Sequence, residues 1–309
     1  MKVTVVGAGN VGATCAQRLV EGDLADVYLV DVVEGLAKGK ALDLAEAAPL
    51  VRHNRRIEGG ESYTPAEGSD LVVITAGVAR KPGMSRDDLL SINGKIVTEV
   101  CENLKQIAPE AIVIMVSNPL DVTTYLAAQV FQAPRERIMG MAGGLDTARY
   151  QVFIAWEVGC APYEVEAVVL GGHGDSMVPL PRLTAVSGVA LDELLPVEKI
   201  EAIVERTRQG GAEIVSHLKT GSAFYAPAAA VADMVQAIAR DEQRIIPCSV
   251  RLQGEYGLEG VFLGVPCRLG QGGVQEVVEL YLNEAESEAL AASAAQVRAT
   301  VEAWEKLSA

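Results

Sequence analysis

A β-branched run that breaks into a glycine-rich turn opens the chain and restricts its fold more than any other feature. Residues 3–6 lead into Gly-Ala-Gly-Asn-Val-Gly at positions 7–12, and a second apolar run, 27–30, ends in Asp31. This order predicts a strand, a tight turn, a helix and a second parallel strand. A chance glycine triplet in a buried turn is the alternative, but it leaves the acid 19 residues beyond Gly12 unexplained.

Each glycine of this turn suits contact with a dinucleotide. Gly7 permits the sharp turn, Gly9 lets the main chain approach a pyrophosphate, and Gly12 lets helix and strand pack closely. The first N–H groups of the helix favour phosphate. Asp31 is placed to accept hydrogen bonds from ribose hydroxyls and to repel a 2′-phosphate, which favours NAD over NADP. The predicted cofactor-binding residues in this region are Gly7, Gly9, Asn10, Val11, Gly12 and Asp31.

The composition limits the partners and the compartment. With 309 residues, 50% of them hydrophobic, the chain can bury the core of one large or two medium domains. Its formal net charge of −15 argues against nucleic acid or an anionic membrane as a partner, so an anionic substrate needs a local positive pocket. The five cysteines are scattered in apolar runs, which predicts free thiols rather than disulfides or a metal site. No apolar run approaches the ~20 residues of a membrane span, and we expect a cytoplasmic protein.

Strand-like runs alternate with helical patterns through the first half of the chain. Because these runs are continuously apolar, they predict a parallel sheet covered on both faces, as in a doubly wound α/β fold. Ligands bind such sheets beyond the carboxyl ends of the strands. The predicted strands are 2–6, 27–31, 71–75, 112–116 and 137–140, and the predicted helices are 10–21, 34–46, 86–107 and 121–130.

The alternation changes after about residue 146, where a mixed α+β domain is expected. Two adjacent glycines, Gly210 and Gly211, are compatible with a kink in one of its helices. The expected division is a Rossmann-type cofactor-binding domain, 1–145, followed by a substrate domain, 146–309. The predicted strands of the second domain are 165–170, 245–250, 261–268 and 274–280, and its predicted helices are 148–158, 198–218, 223–240 and 284–306.

Polar residues follow the predicted strand 71–75, at the expected ligand edge of the sheet. The loop beyond this strand carries Arg80, Lys81 and Arg86 among Pro and Gly residues. Two interpretations are open: a basic loop that closes over a substrate, and a solvated basic turn. Loop composition alone favours the solvated turn.

Two further groups of polar residues lie in the second half of the chain. Asp146 and Arg149 share one face if their segment is helical, and an exposed i,i+3 pair at a helix start is the alternative. His173 is flanked by glycines at the end of an apolar run, where there is room for a ligand. Of the three histidines, His173 alone has an active-site setting, and the sequence lacks the paired spacing of a metal site.

Together these segments resemble the lactate/malate dehydrogenase family, and the resemblance covers essentially the whole chain. It rests on the glycine turn with Asp31, the loop 79–86, Ser-Asn-Pro-Leu-Asp at 117–121, Asp146 with Arg149, and Gly-His-Gly-Asp around His173. Within the family, the pattern is most similar to the lactate-dehydrogenase-like malate dehydrogenases. The resemblance implies NAD-dependent, reversible hydride transfer between (S)-malate and oxaloacetate, as in the tricarboxylic acid cycle.

The resemblance also implies roles for individual residues. His173 is expected to be the acid/base, with Asp146 on its other ring nitrogen. Arg149 is expected to bind the C1 carboxylate as a planar fork, and Arg86 to polarise the reacting carbonyl. Asn118 is expected to orient the substrate oxygen and the nicotinamide. The remaining expected NAD-binding residues are Asn93, Val116 and Asn118.

Arg80 is expected to decide the substrate. In this family a neutral side chain at the corresponding position suits lactate, whereas an arginine suits a second carboxylate, because an unpaired arginine in a closed pocket is costly. The alternatives are an L-lactate or other 2-hydroxy-acid dehydrogenase and, from another class, a non-catalytic NAD-binding sensor or structural protein. A homo-oligomer, either dimer or tetramer, is expected because family members bury long helices against a two-fold partner.

Overall fold

The computed structural model describes residues 1–78 and 86–308, without the side chain of Arg86. The strands within these ranges are β1 (Lys2–Val6), β2 (Asp26–Val30), β3 (Ile57–Gly60), β4 (Leu71–Ile74), β5 (Ile112–Met115), β6 (Ile138–Gly140), β7 (Val165–Glu166), β8 (Val169–Leu170), β9 (Val178–Pro179), β10 (Ala185–Val186), β11 (Val189–Ala190), β12 (Arg244–Gln253), β13 (Glu259–Gly270) and β14 (Gly273–Val277). The helices are α1 (Asn10–Glu21), α2 (Leu36–Val51), α3 (Arg86–Ile107), α4 (Leu120–Phe131), α5 (Gly143–Val158), α6 (Leu191–Leu194), α7 (Val197–Leu218), α8 (Tyr225–Ala239) and α9 (Glu284–Ser308). None of these helices is long and apolar enough to span a membrane.

A nine-stranded sheet forms the centre of the described structure. Six parallel strands follow one another in the order β3-β2-β1-β4-β5-β6. The chain runs outward from β1 in both directions, which is the switch point of a doubly wound sheet. The predicted α/β fold with a Rossmann-type parallel sheet is therefore confirmed. Three antiparallel strands from the second half, β12, β13 and β14, extend the same sheet beyond β6.

The central parallel strands β4 and β5 are continuously apolar because both faces of the sheet are buried there. In β4, Leu71 and Val73 belong to the core formed with α1 and α8. The intervening Val72 and Ile74 belong to the opposite core, formed with α3 and α4. All four side chains are fully buried. Successive side chains of a strand point to opposite faces, so two-sided burial demands an unbroken apolar run.

Tertiary contacts explain two differences from the predicted elements. The sequence pattern does not predict β3, because its glycines weaken a strand signal. Gly59 is needed there, since a Cβ would overlap the carbonyl oxygen of Ala37 on α2. The predicted single strand 165–170 is wrong: the chain leaves one small sheet and enters another, so that β7 pairs with β10 and β8 pairs with β9.

Replacing a glycine by alanine is expected to change the free energy of unfolding in opposite directions at a packed position on α3 and at an open position on α2. A Cβ on Gly94 of α3 would overlap the ring of Trp304, which is 7% exposed. Gly94→Ala is therefore expected to lower the free energy of unfolding by about 1–3 kcal/mol. Gly39→Ala in α2, where the added Cβ has no heavy atom within 4 Å, is expected to raise it by about 0.5–1 kcal/mol. Urea unfolding at fixed protein concentration measures both, and equal stability of the two variants contradicts the packing described.

Candidate active site

The glycine turn joins β1 to α1 in the conformation that its sequence predicts. Gly7 has a φ of +100°, in the left-handed region that glycine favours. A Cβ on Gly12 would overlap the Gly7 carbonyl oxygen, so the close packing requires glycine. The Cβ position of Gly9 has no heavy atom within 4 Å, which leaves the main chain accessible to a ligand. Asn10 begins α1, followed by the half-buried Val11, and the first turn carries no acidic residue that would repel a phosphate.

Asp31 lies directly beyond β2 and directs its carboxylate towards the glycine turn. Its oxygens accept N–H hydrogen bonds from Ala8 at 2.6 Å and from Val33 at 2.9 Å. Lys40 on α2 donates its ammonium to the carbonyl oxygen of Ala8 at 2.7 Å. No sequence pattern singles out Lys40, because a lysine on a surface helix is common. Together these contacts hold the Asp31 carboxylate beside the glycine turn, which is the position of the ribose-binding acid in a dinucleotide site.

The predicted residues Asn93, Val116 and Asn118 meet at the carboxyl edge of the sheet. The buried Asn93 amide accepts the Val78 N–H at 2.8 Å and donates to the carbonyl oxygens of Val78 (3.1 Å) and Asn118 (2.7 Å). Val116 is buried just beyond β5, where its N–H donates to the Ile74 carbonyl at 2.9 Å. The structure thus brings the three together, with the Asn93 amide engaged by main chain on both sides.

Asp146 is the centre of a buried polar cluster. Because α5 begins five residues earlier than predicted, Asp146 lies in its first turn and Arg149 lies on the same face. Arg149 Nη1 donates to Asp146 Oδ1 at 3.1 Å, and His173 Nδ1 lies 2.9 Å from Asp146 Oδ2. The Asp146 side chain is 2% exposed, compared with 13% for Arg149 and 15% for His173. An exposed surface pair, which the sequence left open, is therefore wrong.

Gly210 on α7 makes room for the Arg149 side chain. A Cβ on Gly210 would lie 3.2 Å from Arg149 Cδ, and α7 continues through Gly210 and Gly211 without interruption. The close approach of the Arg149 side chain accounts for a residue without a Cβ at position 210. The Arg149 Nε is buried without a hydrogen-bond partner among the described residues. A buried guanidinium with an unused donor is suited to a carboxylate ligand.

Burial and neighbouring charges act in opposite directions on His173. Desolvation disfavours the protonated ring, but the charge and hydrogen bond of Asp146 favour it more strongly, so the pKa of His173 lies above its ordinary value of 6.5. By charge alone, Arg149 lowers this pKa and Asp121 raises it. An imidazole whose Nδ1 is held by a carboxylate can deliver or remove a proton at Nε2.

Three side chains without a predicted role hold the main chain around His173. Asp121 Oδ2 accepts the His173 N–H at 2.8 Å, and Ser249 Oγ donates to Asp121 Oδ1 at 2.7 Å. Ser293 Oγ accepts the Gly172 N–H at 2.8 Å. The one sequence signal for this group is the position of Asp121 at the end of the 117–121 motif, since the two serines lie far away in the chain.

Two predicted substrate residues are not placed by the structure. Arg80 lies outside the described residues, as does the side chain of Arg86, the first residue of α3. Val78, which precedes this segment, lies beside Asn93 and Asn118 at the carboxyl edge of the sheet.

Two models of one protein family match this chain. The model of the lactate/malate dehydrogenase NAD-binding domain matches residues 1–140, and that of the lactate/malate dehydrogenase α/β C-terminal domain matches residues 144–307. The malate dehydrogenase of Chloroherpeton thalassium is 54% identical over 303 residues, which cover 98% of each chain.

Solved structures are similar over the same length. The apo malate dehydrogenase of Picrophilus torridus matches with a TM-score of 0.96 at 44% identity, covering 99% of this chain and 98% of that one. The lactate dehydrogenase of Cryptosporidium parvum, complexed with lactic acid and nicotinamide adenine dinucleotide, matches with a TM-score of 0.95 at 37% identity, covering 98% of both chains. This chain therefore belongs to the lactate/malate dehydrogenase family of NAD-dependent oxidoreductases.

Proposed function

We propose that the protein is an NAD-dependent malate dehydrogenase, which interconverts (S)-malate and oxaloacetate. The observation that carries the proposal is the buried cluster in which Asp146 holds both His173 and Arg149. An acid/base next to a guanidinium suits a 2-hydroxy acid, because the hydroxyl must lose a proton while the adjacent carboxylate is bound. The 54% identity to a malate dehydrogenase supports the choice of malate.

The chain's own residues perform the proton transfer and the orientation of the substrate. NAD, when bound, accepts or supplies the hydride. With Nδ1 on Asp146, His173 uses Nε2 to remove the hydroxyl proton of malate and to return one to the carbonyl of oxaloacetate. Arg149 binds the C1 carboxylate with its remaining donors. Arg86 polarises the carbonyl and Asn118 orients the reacting oxygen, two roles that rest on the family resemblance.

We assign the cofactor to the first part of the chain, residues 1–145, and the acid/base pair to residues 146–309. The glycine turn fits the pyrophosphate, since Gly9 is open and the first turn of α1 carries no acid. The Asp31 carboxylate beside this turn suits the ribose hydroxyls and disfavours a 2′-phosphate. The proposed cofactor-binding residues are Gly7, Gly9, Asn10, Val11, Gly12, Asp31, Asn93, Val116 and Asn118.

A second 2-hydroxy acid and a second class of function are the competing proposals. The structural similarity to the C. parvum lactate dehydrogenase supports lactate as a substrate. Arg80 argues against lactate, because lactate has no second carboxylate to pair with an arginine. A non-catalytic NAD-binding sensor needs no buried acid/base pair, so the contact of His173 with Asp146 argues against it.

A homo-oligomer remains our proposal for the assembly. Exposed apolar side chains on α2, such as Leu42 (61%) and Leu50 (83%), are consistent with association.

Replacing Arg80 is expected to change the substrate preference. In the unmodified enzyme, kcat/KM for oxaloacetate is expected to exceed that for pyruvate by about 10³–10⁵-fold, because pyruvate leaves Arg80 unpaired. Arg80→Gln is expected to reduce this ratio by at least about 100-fold. NADH oxidation with each keto acid measures the ratio, with Arg268→Gln, a surface arginine paired to Glu276, as the control. An unchanged ratio in Arg80→Gln contradicts the proposed substrate assignment.

Removal of the imidazole separates catalysis from cofactor binding. His173→Asn is expected to lower kcat by about 10²–10⁴-fold, the usual contribution of a general acid/base. NADH affinity is expected to stay near that of the unmodified protein, because the proposed pyrophosphate and ribose contacts lie at the glycine turn. Steady-state kinetics and NADH fluorescence titration measure the two effects, and His217→Asn on the exposed face of α7 is the control. Retained turnover in His173→Asn refutes the acid/base assignment.

Loss of the Asp146 charge is expected to move the pH dependence of the reaction. Oxaloacetate reduction needs protonated His173, so it declines as the pH rises through the raised pKa of this group. Asp146→Asn removes the main cause of that elevation, and the decline is expected at lower pH. Malate oxidation needs the neutral ring and is expected to begin at lower pH as well. Profiles of kcat/KM against pH in both directions measure the shift, with the surface variant Asp192→Asn as control, and an unmoved profile contradicts the role given to Asp146.

A further inference from the structure

We propose that Glu61 is a second specificity-determining residue for the cofactor, which disfavours a 2′-phosphate independently of Asp31. The inference rests on the proposed binding of the ribose hydroxyls by Asp31. It concerns the nucleotide that the site rejects, since NADP differs from NAD in the 2′-phosphate alone. No sequence pattern singles out Glu61, because an acid in a polar connection is common.

The order of the strands places Glu61 next to Asp31 at the carboxyl edge of the sheet. The glycine turn follows β1, Asp31 follows β2 and Glu61 follows β3, and these strands are parallel neighbours. Val30 and Gly60, which end β2 and β3, are paired in register, and the Asp31 N–H donates to the Gly60 carbonyl at 3.2 Å. Neighbouring strands lie about 5 Å apart. A group that projects beyond Asp31, away from the glycine turn, therefore approaches Glu61.

Both carboxylates hold the turn 32–35, which leads from β2 into α2. Asp31 Oδ1 accepts the Val33 N–H at 2.9 Å, and Glu61 Oε1 accepts the Gly35 N–H at 2.7 Å. Gly35 is the left-handed residue that precedes α2. Although Glu61 is exposed, its carboxylate is therefore held in a defined place beside the main chain that follows Asp31.

A neutral side chain would be sufficient to hold the Gly35 N–H. The oxygen of an amide or a hydroxyl accepts the same hydrogen bond. The pKa of Glu61 is lowered by the Gly35 N–H, by its own N–H and by the charge of Lys38, against a smaller opposing effect of desolvation, so the carboxylate is ionised at neutral pH. Its negative charge next to that of Asp31 is therefore the feature to explain.

The charge of Glu61 acts on a 2′-phosphate in two ways. It repels the phosphate directly, and it competes for Lys38 on α2, the cation whose charge acts on Glu61. Lys40 does not replace Lys38 in this respect, because its ammonium donates to the Ala8 carbonyl at 2.7 Å. Since water and salt screen an exposed charge, the effect on the affinity for a dianionic phosphate about 7 Å away is expected to be about 3–10-fold.

The direct test is the binding of NADH and NADPH to the whole protein without substrate. Fluorescence titration gives the ratio of Kd for NADPH to Kd for NADH, and Asp31→Ser is expected to lower this ratio. Glu61→Gln keeps an oxygen for the Gly35 N–H but removes the charge. It is expected to lower the ratio by about 3–10-fold, both in the unmodified protein and in addition to Asp31→Ser. Glu58→Gln, which removes an exposed acid earlier on β3, is expected to leave the ratio in place.

Ionic strength separates the charge of Glu61 from its hold on the turn. The screening length falls from about 30 Å at 0.01 M salt to about 3 Å at 1 M. The effect of Glu61→Gln on the ratio is therefore expected to shrink to within about twofold in 1 M salt. An effect that persists at high salt would come from the shape of the turn 32–35, and it overturns the role given to the charge.

Two further results overturn the inference. One is a ratio in Glu61→Gln equal to that of the unmodified protein; the other is an equal decrease in Glu58→Gln, which would make the general surface charge responsible. Because no substrate is present, failure to oxidise malate refutes the proposed activity and leaves the binding ratio to decide the role of Glu61. An unchanged ratio in Asp31→Ser refutes the ribose assignment, whereas a ratio that changes in Asp31→Ser but not in Glu61→Gln refutes the role of Glu61 alone.

Discussion

The rest of the site depends on the contacts of one buried carboxylate, that of Asp146. Its two oxygens meet different cationic or protonatable groups, Arg149 at 3.1 Å and His173 at 2.9 Å. A charge with 2% exposure is costly unless it is paired, and Arg149 supplies the pairing. With its charge balanced in this way, Asp146 can hold the imidazole in one orientation and favour its protonated form.

The sheet explains why these groups meet. The glycine turn follows β1, and α4 and α5 follow β5 and β6, so all three begin at the carboxyl edge of parallel neighbours. The antiparallel strand β12 then pairs with β6 through Ser249 and Gly140, which brings the Ser249 hydroxyl to Asp121. The glycine turn from one end of the chain and the segment around His173, held by Asp121 and Asp146, are thereby placed at the same edge of the sheet.

Much of this arrangement could be predicted from the residues, and the exceptions share a cause. The glycine turn with Asp31 and the pairing of Asp146 with Arg149 depend on spacings within one or two elements. The contact of Asp121 with Ser249 spans 128 positions, and no periodicity connects residues so far apart. Lys40 and the strand β3 escaped prediction for a similar reason, since their partners become neighbours when α2 packs beside the sheet.

The sequence by itself determined the order of elements, the turn that glycine permits and the residue types available for chemistry, because backbone conformation and apolar periodicity depend on near neighbours. Only the tertiary structure decided which of those side chains meet and how deeply they are buried. The charge state of His173 belongs to the second category: its pKa depends on distances to Asp146, Arg149 and Asp121 through space, and on the exclusion of water. Both the distances and the exclusion of water are fixed only when distant segments of the chain pack together.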